Sequence, residues 1–270
     1  MRTIFLTDLD GTLLHFDDFN FAAARTPILK YIDQGIEIIP VSSKTKLEIE
    51  QFCDELGVRL PFIYENGAGF SFPVLSNSDT KEIICGKTTA ELIQIWLSAI
   101  PIELRAYCQL LIDMDSTECT SLLGLEGEAL ELALQRAYSV LLTFNGDKRT
   151  LTLLNIYCER AGLTLQKGGR IFCLAGKHNK ATFIETLRHD RRAEQPAPCI
   201  IAFGDGNNDI PMLNAADIAC IIPRPNGMHL PPDSITTTTI IATQPAPMGW
   251  QQASEMALRK VLETREVNYG

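Results

Sequence analysis

Short unbroken apolar runs alternate with stretches of helical periodicity along this chain, and that alternation excludes most folds. Residues 3–7 (TIFLT) read as a buried strand that runs into Asp8. Residues 22–33 carry apolar side chains at helical spacing and stop at Gly35; residues 36–41 (IEIIPV) give the next strand; residues 45–56 give a second helix, stopped by Gly57. Residues 61–66 (PFIYEN) give a third strand. The same rhythm returns late, with a helix at 177–188, a strand at 199–205 (CIIAFGD), a helix at 209–216 and a strand at 218–222 (IACII). A strand that is apolar at every position has no solvent face, so both faces must be covered. With helices as the connections, the expected outcome is an α/β fold with a doubly wound, Rossmann-like parallel sheet.

The middle of the chain breaks this rhythm. Residues 89–99 and 127–137 read as helices, 139–144 (SVLLTF) as a strand and 147–161 as a helix after the turn residues Asn145-Gly146-Asp147. Residues 163–165 and 170–175 read as two strands around Lys167-Gly168-Gly169. This is an α+β pattern set inside an α/β one. The expected organisation is a discontinuous core of residues 1–80 and 176–270, with residues 81–175 inserted as a second unit.

Composition narrows the class of function. The chain has 33 acidic against 24 basic residues and a formal net charge of −9, which argues against a general nucleic-acid binder. An anionic ligand would have to be captured by a local group of cations. No apolar run reaches the length of a membrane span and no leader-like segment opens the sequence, so a cytoplasmic protein without a membrane partner is expected. None of the eight cysteines forms a Cys-x-x-Cys pair, and most sit in apolar runs, so buried free thiols are expected rather than disulfides or a thiolate metal site. No feature specifies an oligomeric state.

Doubly wound sheets bind ligands at the carboxyl ends of their strands. Four such places carry polar residues here: Asp8 and Asp10 in DLDGTLL, Ser42, Ser43 and Lys44 after the second strand, Lys177 at the helix start after the insertion, and Asp205 and Asp209 in GDGNND. In this fold they converge. Clustered carboxylates repel and raise one another's pKa, and a divalent cation with a preference for hard oxygen ligands, such as Mg2+, removes that cost. A carboxylate can attack phosphorus, a neighbouring carboxyl can act as acid and base, and lysine and serine can hold phosphate oxygens. Taken singly, a strand-ending aspartate or serine is as readily a helix cap, and Lys177 a solvated lysine. The order and spacing of the four groups favour chemistry.

That order resembles the haloacid dehalogenase superfamily of phosphatases, with D-x-D-G-T first and G-D-x-x-N-D last. The insertion between the second and third motifs looks like a C2-type cap. IPVSSKT, YENGAGF, KGGRIFCLAGK and PAPMGW further resemble the mannosyl-3-phosphoglycerate phosphatase branch, nearly end to end, with the weakest match at about residues 75–135. The resemblance implies a Mg2+-dependent hydrolase of a small phosphorylated, glycosyl-bearing metabolite. It implies that Asp8 is nucleophile and metal ligand, and that Asp10 is general acid/base and offers its carbonyl to the metal. By the same resemblance Ser42 binds phosphate, Asp205 is the acidic metal ligand, Asp209 supports the metal, and Lys177 pairs with phosphate and Asp8. Lys180 lies nearby, but AGK-x-x-x-A spacing favours Lys177.

The chain departs from that branch in the insertion, where RAYSVLLTFNG keeps Arg136, Tyr138 and Ser139 without the Glu-Pro of relatives. Caps of this superfamily select the leaving group, so the substrate's identity stays open. Arg170 is the expected cap contact for a glycerate carboxylate. Asn66 ends a strand beside the expected site and suits a turn as well as a substrate contact. His178 is expected at the surface, and Trp250 as a packing anchor. The alternatives are a phosphatase of another sugar phosphate, a sugar phosphomutase, or a catalytically silent binding protein of the same fold. A phosphorelay receiver is disfavoured by the insertion and by D-x-D-G-T.

Overall fold

A computed structural model describes residues 2–73, 80–168, 171–189 and 197–269. The chain opens with β1 (Thr3–Thr7), α1 (Ala22–Asp33), β2 (Glu37–Pro40), α2 (Lys46–Leu56) and β3 (Phe62–Tyr64), then β4 (Gly69–Pro73) and β5 (Thr80–Ile84). The middle holds α3 (Thr89–Ala99), α4 (Ile102–Arg105), β6 (Cys108–Leu110), α5 (Ser116–Leu123), α6 (Gly127–Leu134), β7 (Ser139–Phe144), α7 (Lys148–Arg160), β8 (Leu163–Lys167) and β9 (Phe172–Gly176). It closes with α8 (Ile184–Arg188), β10 (Cys199–Gly204), α9 (Ile210–Ala215), β11 (Ile218–Ile221), β12 (Thr238–Ile241) and α10 (Met248–Tyr269).

Five strands form one parallel sheet in the order β12-β11-β10-β1-β2. Thr3 to Thr7 of β1 face Cys199 to Phe203 of β10 on one side, while Ile4 to Thr7 face Glu37 to Pro40 of β2 on the other. The chain thus moves from β1 to one side of the sheet and later, through β10, to the other. The reversal opens a crevice at the carboxyl ends of β1 and β10. Alternate residues of each strand serve opposite faces. Phe5, Ile38, Ile201 and Phe203 pack beneath α1, α2 and α10, whereas Ile4, Leu6, Ile39 and Ala202 pack beneath α8 and α9. This is the doubly wound architecture that the apolar strands predict. Trp250 is fully buried and meets the rings of Phe5, Tyr31 and Phe203, anchoring α10 as expected.

Local signals set the helix that follows the second strand. Thr45 caps α2 by accepting from Glu48 N, and the Glu48 carboxylate returns a bond to Thr45 N. Gly57 closes the helix in the left-handed region, at φ 79°.

The inserted cap is a four-stranded antiparallel sheet in the order β6-β7-β9-β8. Leu92 and Trp96 of α3 and Leu154 and Cys158 of α7 pack on one face with Val140, Leu142 and Leu174. Cys119 of α5 and Leu130 of α6 pack on the other with Leu141. Two features differ from the sequence reading. Strands β3, β4 and β5 form a further antiparallel sheet, so β5 begins where the insertion was expected to start. That hairpin escapes a search for apolar runs because β5 is exposed along its length and β4 contains Gly69 and Pro73. The helix expected over 177–188 is shorter, Ile184–Arg188, because turns occupy the residues before it.

Candidate active site

The loop leaving β1 carries Asp8 and Asp10, and the loop leaving β10 carries Asp205 and Asp209. Backbone geometry brings them close. Gly11 has φ 80°, and a Cβ there would stand 2.9 Å from Phe16 and 3.2 Å from the Asp205 carboxylate. Only a residue without a side chain lets the first motif approach the last this closely. The Asp209 Oδ2 accepts from Asp205 N at 3.0 Å and Gly206 N at 2.9 Å, which fixes the loop that presents Asp205.

The lysine facing these carboxylates is Lys180, not Lys177. Lys180 is fully buried and donates to Asp8 Oδ1 at 2.5 Å and to Asp209 Oδ1 at 2.6 Å. Lys177 is exposed. The physical reason lies in the turn after β9: His178 N donates to Gly176 O, so residue 177 swings outward and the inward-facing cation comes three residues later, nearer the start of α8. His178 is also buried, against expectation. Burial holds its imidazole below the usual pKa, opposed by a hydrogen bond to the Glu65 backbone.

Ser42 is buried and its hydroxyl accepts from Lys44 N at 3.2 Å. The carbonyl of Ser43 accepts from Arg136 of the cap at 3.1 Å. The Lys44 ammonium pairs with Asp10 at 3.1 Å and Glu48 at 3.5 Å, and lies over the Phe19 ring. Asn66 is buried, and its Oδ1 accepts from Asn208 at 3.4 Å, so the turn after β3 touches the loop after β10. Arg170 lies outside the described residues. The sequence reading overlooks Arg224, whose Nε donates to Asp205 Oδ2 at 2.9 Å while its guanidinium covers Phe16. Its signal was a lone basic residue in the Pro-Arg-Pro loop after β11, at the same sheet edge as the other groups.

Charge balance within this crevice is negative. Burial raises the Asp8 pKa well above the ordinary carboxylate value, Asp209 and Asp205 raise it further, and Lys180 opposes them. Asp205 is raised by burial and by Asp209, against the pull of Arg224. Asp10 is raised by burial against the pull of Lys44, and its Oδ1 is buried without a hydrogen-bond partner. Lys180 is held charged: burial alone would push its pKa down, but Asp209 and Asp8 more than offset that. Carboxylate oxygens of Asp8, Asp205 and Asp209 all lie within 4.8 Å of one another, the one such group of potential metal ligands among the described residues. An all-oxygen set carrying surplus negative charge fits a hard divalent cation. No helix among the described residues is long and apolar enough to cross a membrane.

A family model described as haloacid dehalogenase-like hydrolase matches residues 5–94 and 131–224. The chain belongs to the haloacid dehalogenase-like hydrolases. Within that family it is 30% identical over 266 residues to a protein of Methanococcoides burtonii named glucosyl-3-phosphoglycerate/mannosyl-3-phosphoglycerate phosphatase, covering 94% of this chain and 96% of the relative. A protein of the same name from Persephonella marina is 31% identical over 272 residues, covering 96% and 98%. This hydrolase also shares its fold with a solved phosphatase of the superfamily from Bacteroides thetaiotaomicron, at a TM-score of 0.65 and 19% identity over 95% of both chains. A second solved structure, from Thermoplasma acidophilum, gives 0.65 at 15% identity over 95% of this chain and 98% of that one. The matched family segments include Asp8, Asp10, Ser42, Lys180, Asp205 and Asp209 and leave out part of the cap. The enzyme is therefore a phosphatase of this family, and the crevice lies within the part it shares.

Proposed function

We propose that this phosphatase removes phosphate from glucosyl- or mannosyl-3-phosphoglycerate, or a closely related glycosyl-phosphoglycerate, and that it depends on Mg2+. The observation that carries the chemistry is Lys180 clasped between Asp8 and Asp209 with Asp205 alongside. The substrate class rests on the names of relatives that match this chain along nearly its whole length.

Asp8 attacks phosphorus, and the bond from phosphorus to the ester oxygen breaks. Asp10 gives its proton to the departing alkoxide. Burial raises its pKa against the pull of Lys44, the direction a general acid needs, and its Oδ1 is buried with no hydrogen-bond partner. An acyl phosphate now sits on Asp8. Asp10, ionised by the first step, takes a proton from water, the water oxygen attacks phosphorus, and the bond to Asp8 breaks to release phosphate. The Ser42 hydroxyl and the Lys180 ammonium hold the equatorial oxygens as charge builds. Lys44 steadies Asp10 from the second-strand loop. Asp8, Asp205 and the Asp10 carbonyl would hold Mg2+, with Asp209 behind them. Bound there, it would offset the carboxylate repulsion and the charge of the phosphate.

The eight cysteines are free thiols, which fits a reducing, cytoplasmic setting. The test is a phosphate-release screen of sugar phosphates and glycosyl-phosphoglycerates with Mg2+. Preferred release from the glycosyl-phosphoglycerates is expected. Release from none of them, or products that keep phosphate on the sugar, would overturn the reading.

A further inference from the structure

Glu65 is a buried carboxylate that the reaction above does not use. It sits after β3 in a turn of three left-handed residues, with Glu65 at φ 46°, Asn66 at 56° and Gly67 at 96°. Ordinary side chains rarely adopt such angles, and surrounding contacts must hold them there. A Cβ on Gly67 would stand 2.0 Å from the Asn179 carbonyl, so the turn is wedged against the segment that presents Lys180. Glu65 N donates to Lys44 O at 2.9 Å and Asn66 N to Ser42 O at 2.9 Å, which ties the backbone of the turn to the Ser42–Lys44 loop.

The side chain points the other way, to the cap. Its Oε1 accepts from Ala137 N at 2.9 Å, its Oε2 from Tyr138 N at 3.0 Å, and Ser139 donates its hydroxyl to the same oxygen. These three residues lead into β7 and its sheet. Arg136 completes the junction from the cap side, donating to Ser139 Oγ at 3.0 Å as well as to Ser43 O. A carboxylate taken out of water costs several kcal/mol unless its oxygens are satisfied, and here three consecutive cap residues satisfy them.

We propose that Glu65 is a positioning residue that seats the cap over the crevice and thereby sets specificity. The inference rests on the phosphatase reading of the crevice. The backbone of Glu65 holds the phosphate-side loop and its carboxylate holds the cap, so a side-chain substitution separates the two. A substrate long enough to touch the cap depends on the grip, and a small phosphate ester does not.

The test is Glu65→Gln in the full-length protein, with Ser139→Ala as a milder variant that removes one donor and keeps both amides. A glutamine turns an N–H donor toward a backbone N–H and loses the charge. The expected result is a kcat/KM for mannosyl-3-phosphoglycerate lower by about 10- to 100-fold, the size of one lost charge-assisted contact, carried mainly by KM. Turnover of p-nitrophenyl phosphate should stay within about twofold, the range of an indirect change. Amide exchange at Ala137 and Tyr138 should quicken at least tenfold, roughly 1.4 kcal/mol of lost protection, while the β8 and β9 amides keep their rates. Equal losses on both substrates, or unchanged exchange at Ala137 and Tyr138, would overturn the proposal. Should wild-type protein release phosphate from neither ester, the phosphatase reading alone fails, and exchange at those two amides still decides whether Glu65 grips the cap.

Discussion

Replacing Lys180 by methionine separates the two lysines that the third motif offers. Methionine keeps most of the aliphatic stem and deletes the ammonium. Lys180 is fully buried and makes two contacts to carboxylates, at 2.5 and 2.6 Å. Each charge-assisted contact is worth about 1.5–3 kcal/mol. Removing one partner of a buried pair strands the other charges and costs about 3–5 kcal/mol. In a chain of this size that is a fall in Tm of roughly 6–20 °C, at about 2–4 °C per kcal/mol. The loss should be greatest with a chelator present and partly restored by Mg2+, because a cation among Asp8, Asp205 and Asp209 relieves the same repulsion. Turnover should fall by about 10²- to 10³-fold, the usual cost of losing one donor to a developing anionic charge. Lys177→Met is the control. Its side chain is exposed, so both Tm and kcat should stay near wild type, within about 0.5 kcal/mol. The assay pairs thermal unfolding, with and without chelator, with phosphate release. A stable, active Lys180→Met beside a crippled Lys177→Met would refute the assignment.

Asp8→Asn should abolish phosphate release while the protein stays folded, and a variant with wild-type turnover would remove Asp8 as nucleophile. Asp10→Asn should slow release chiefly from esters with poor leaving groups, leaving phosphoenzyme to accumulate from an aryl phosphate; equal first-step losses for both ester types would make Asp10 structural. Activity should vanish with a chelator, and Ca2+ should support poor turnover because its larger, looser shell misplaces the nucleophile. The pKa values of Asp8 and Asp205 are raised in the folded protein, so the metal-free fold binds more protons than the unfolded chain and loses stability as pH rises through those values. A cation must displace these protons, so the rise in Tm produced by Mg2+ should grow as pH climbs above the ordinary carboxylate range; a rise that shrinks in that direction would contradict the carboxylate site.

The core was legible because its strands are buried on both faces. Residues 3–7 and 199–204 stand out as apolar runs, and 22–33 as a helix with matching bounds in the structure. The acidic residues were legible because strand ends are where such a sheet gathers its ligands. The third-motif lysine was misplaced because spacing was counted as if a helix began at residue 177, whereas the chain spends those residues on turns. Arg224 and Glu65 were overlooked for a different reason. Each is an ordinary charged residue in a loop, and its meaning lies in a partner distant in sequence: Asp205 for Arg224, and residues 137–139 for Glu65. No local pattern encodes such a pairing.

The sheet order has a consequence for how this protein is made. β1 lies between β2 and β10, and Thr3 pairs with Cys199, so the middle of the core joins segments separated by the whole cap. A nascent chain that has emerged through β9 owns all four cap strands together with Leu92, Trp96, Leu154 and Leu174, enough to collapse as a contiguous unit. At that moment β1 has β2 beside it and a bare opposite edge, and Phe5 and Tyr31 lack the Trp250 that will cover them. Distant pairings form slowly, and exposed strand edges recruit other chains. Aggregation during synthesis is therefore a hazard of the core, and substitutions that weaken β10 or α10 should lower the yield of folded protein more than equally destabilising ones in the cap.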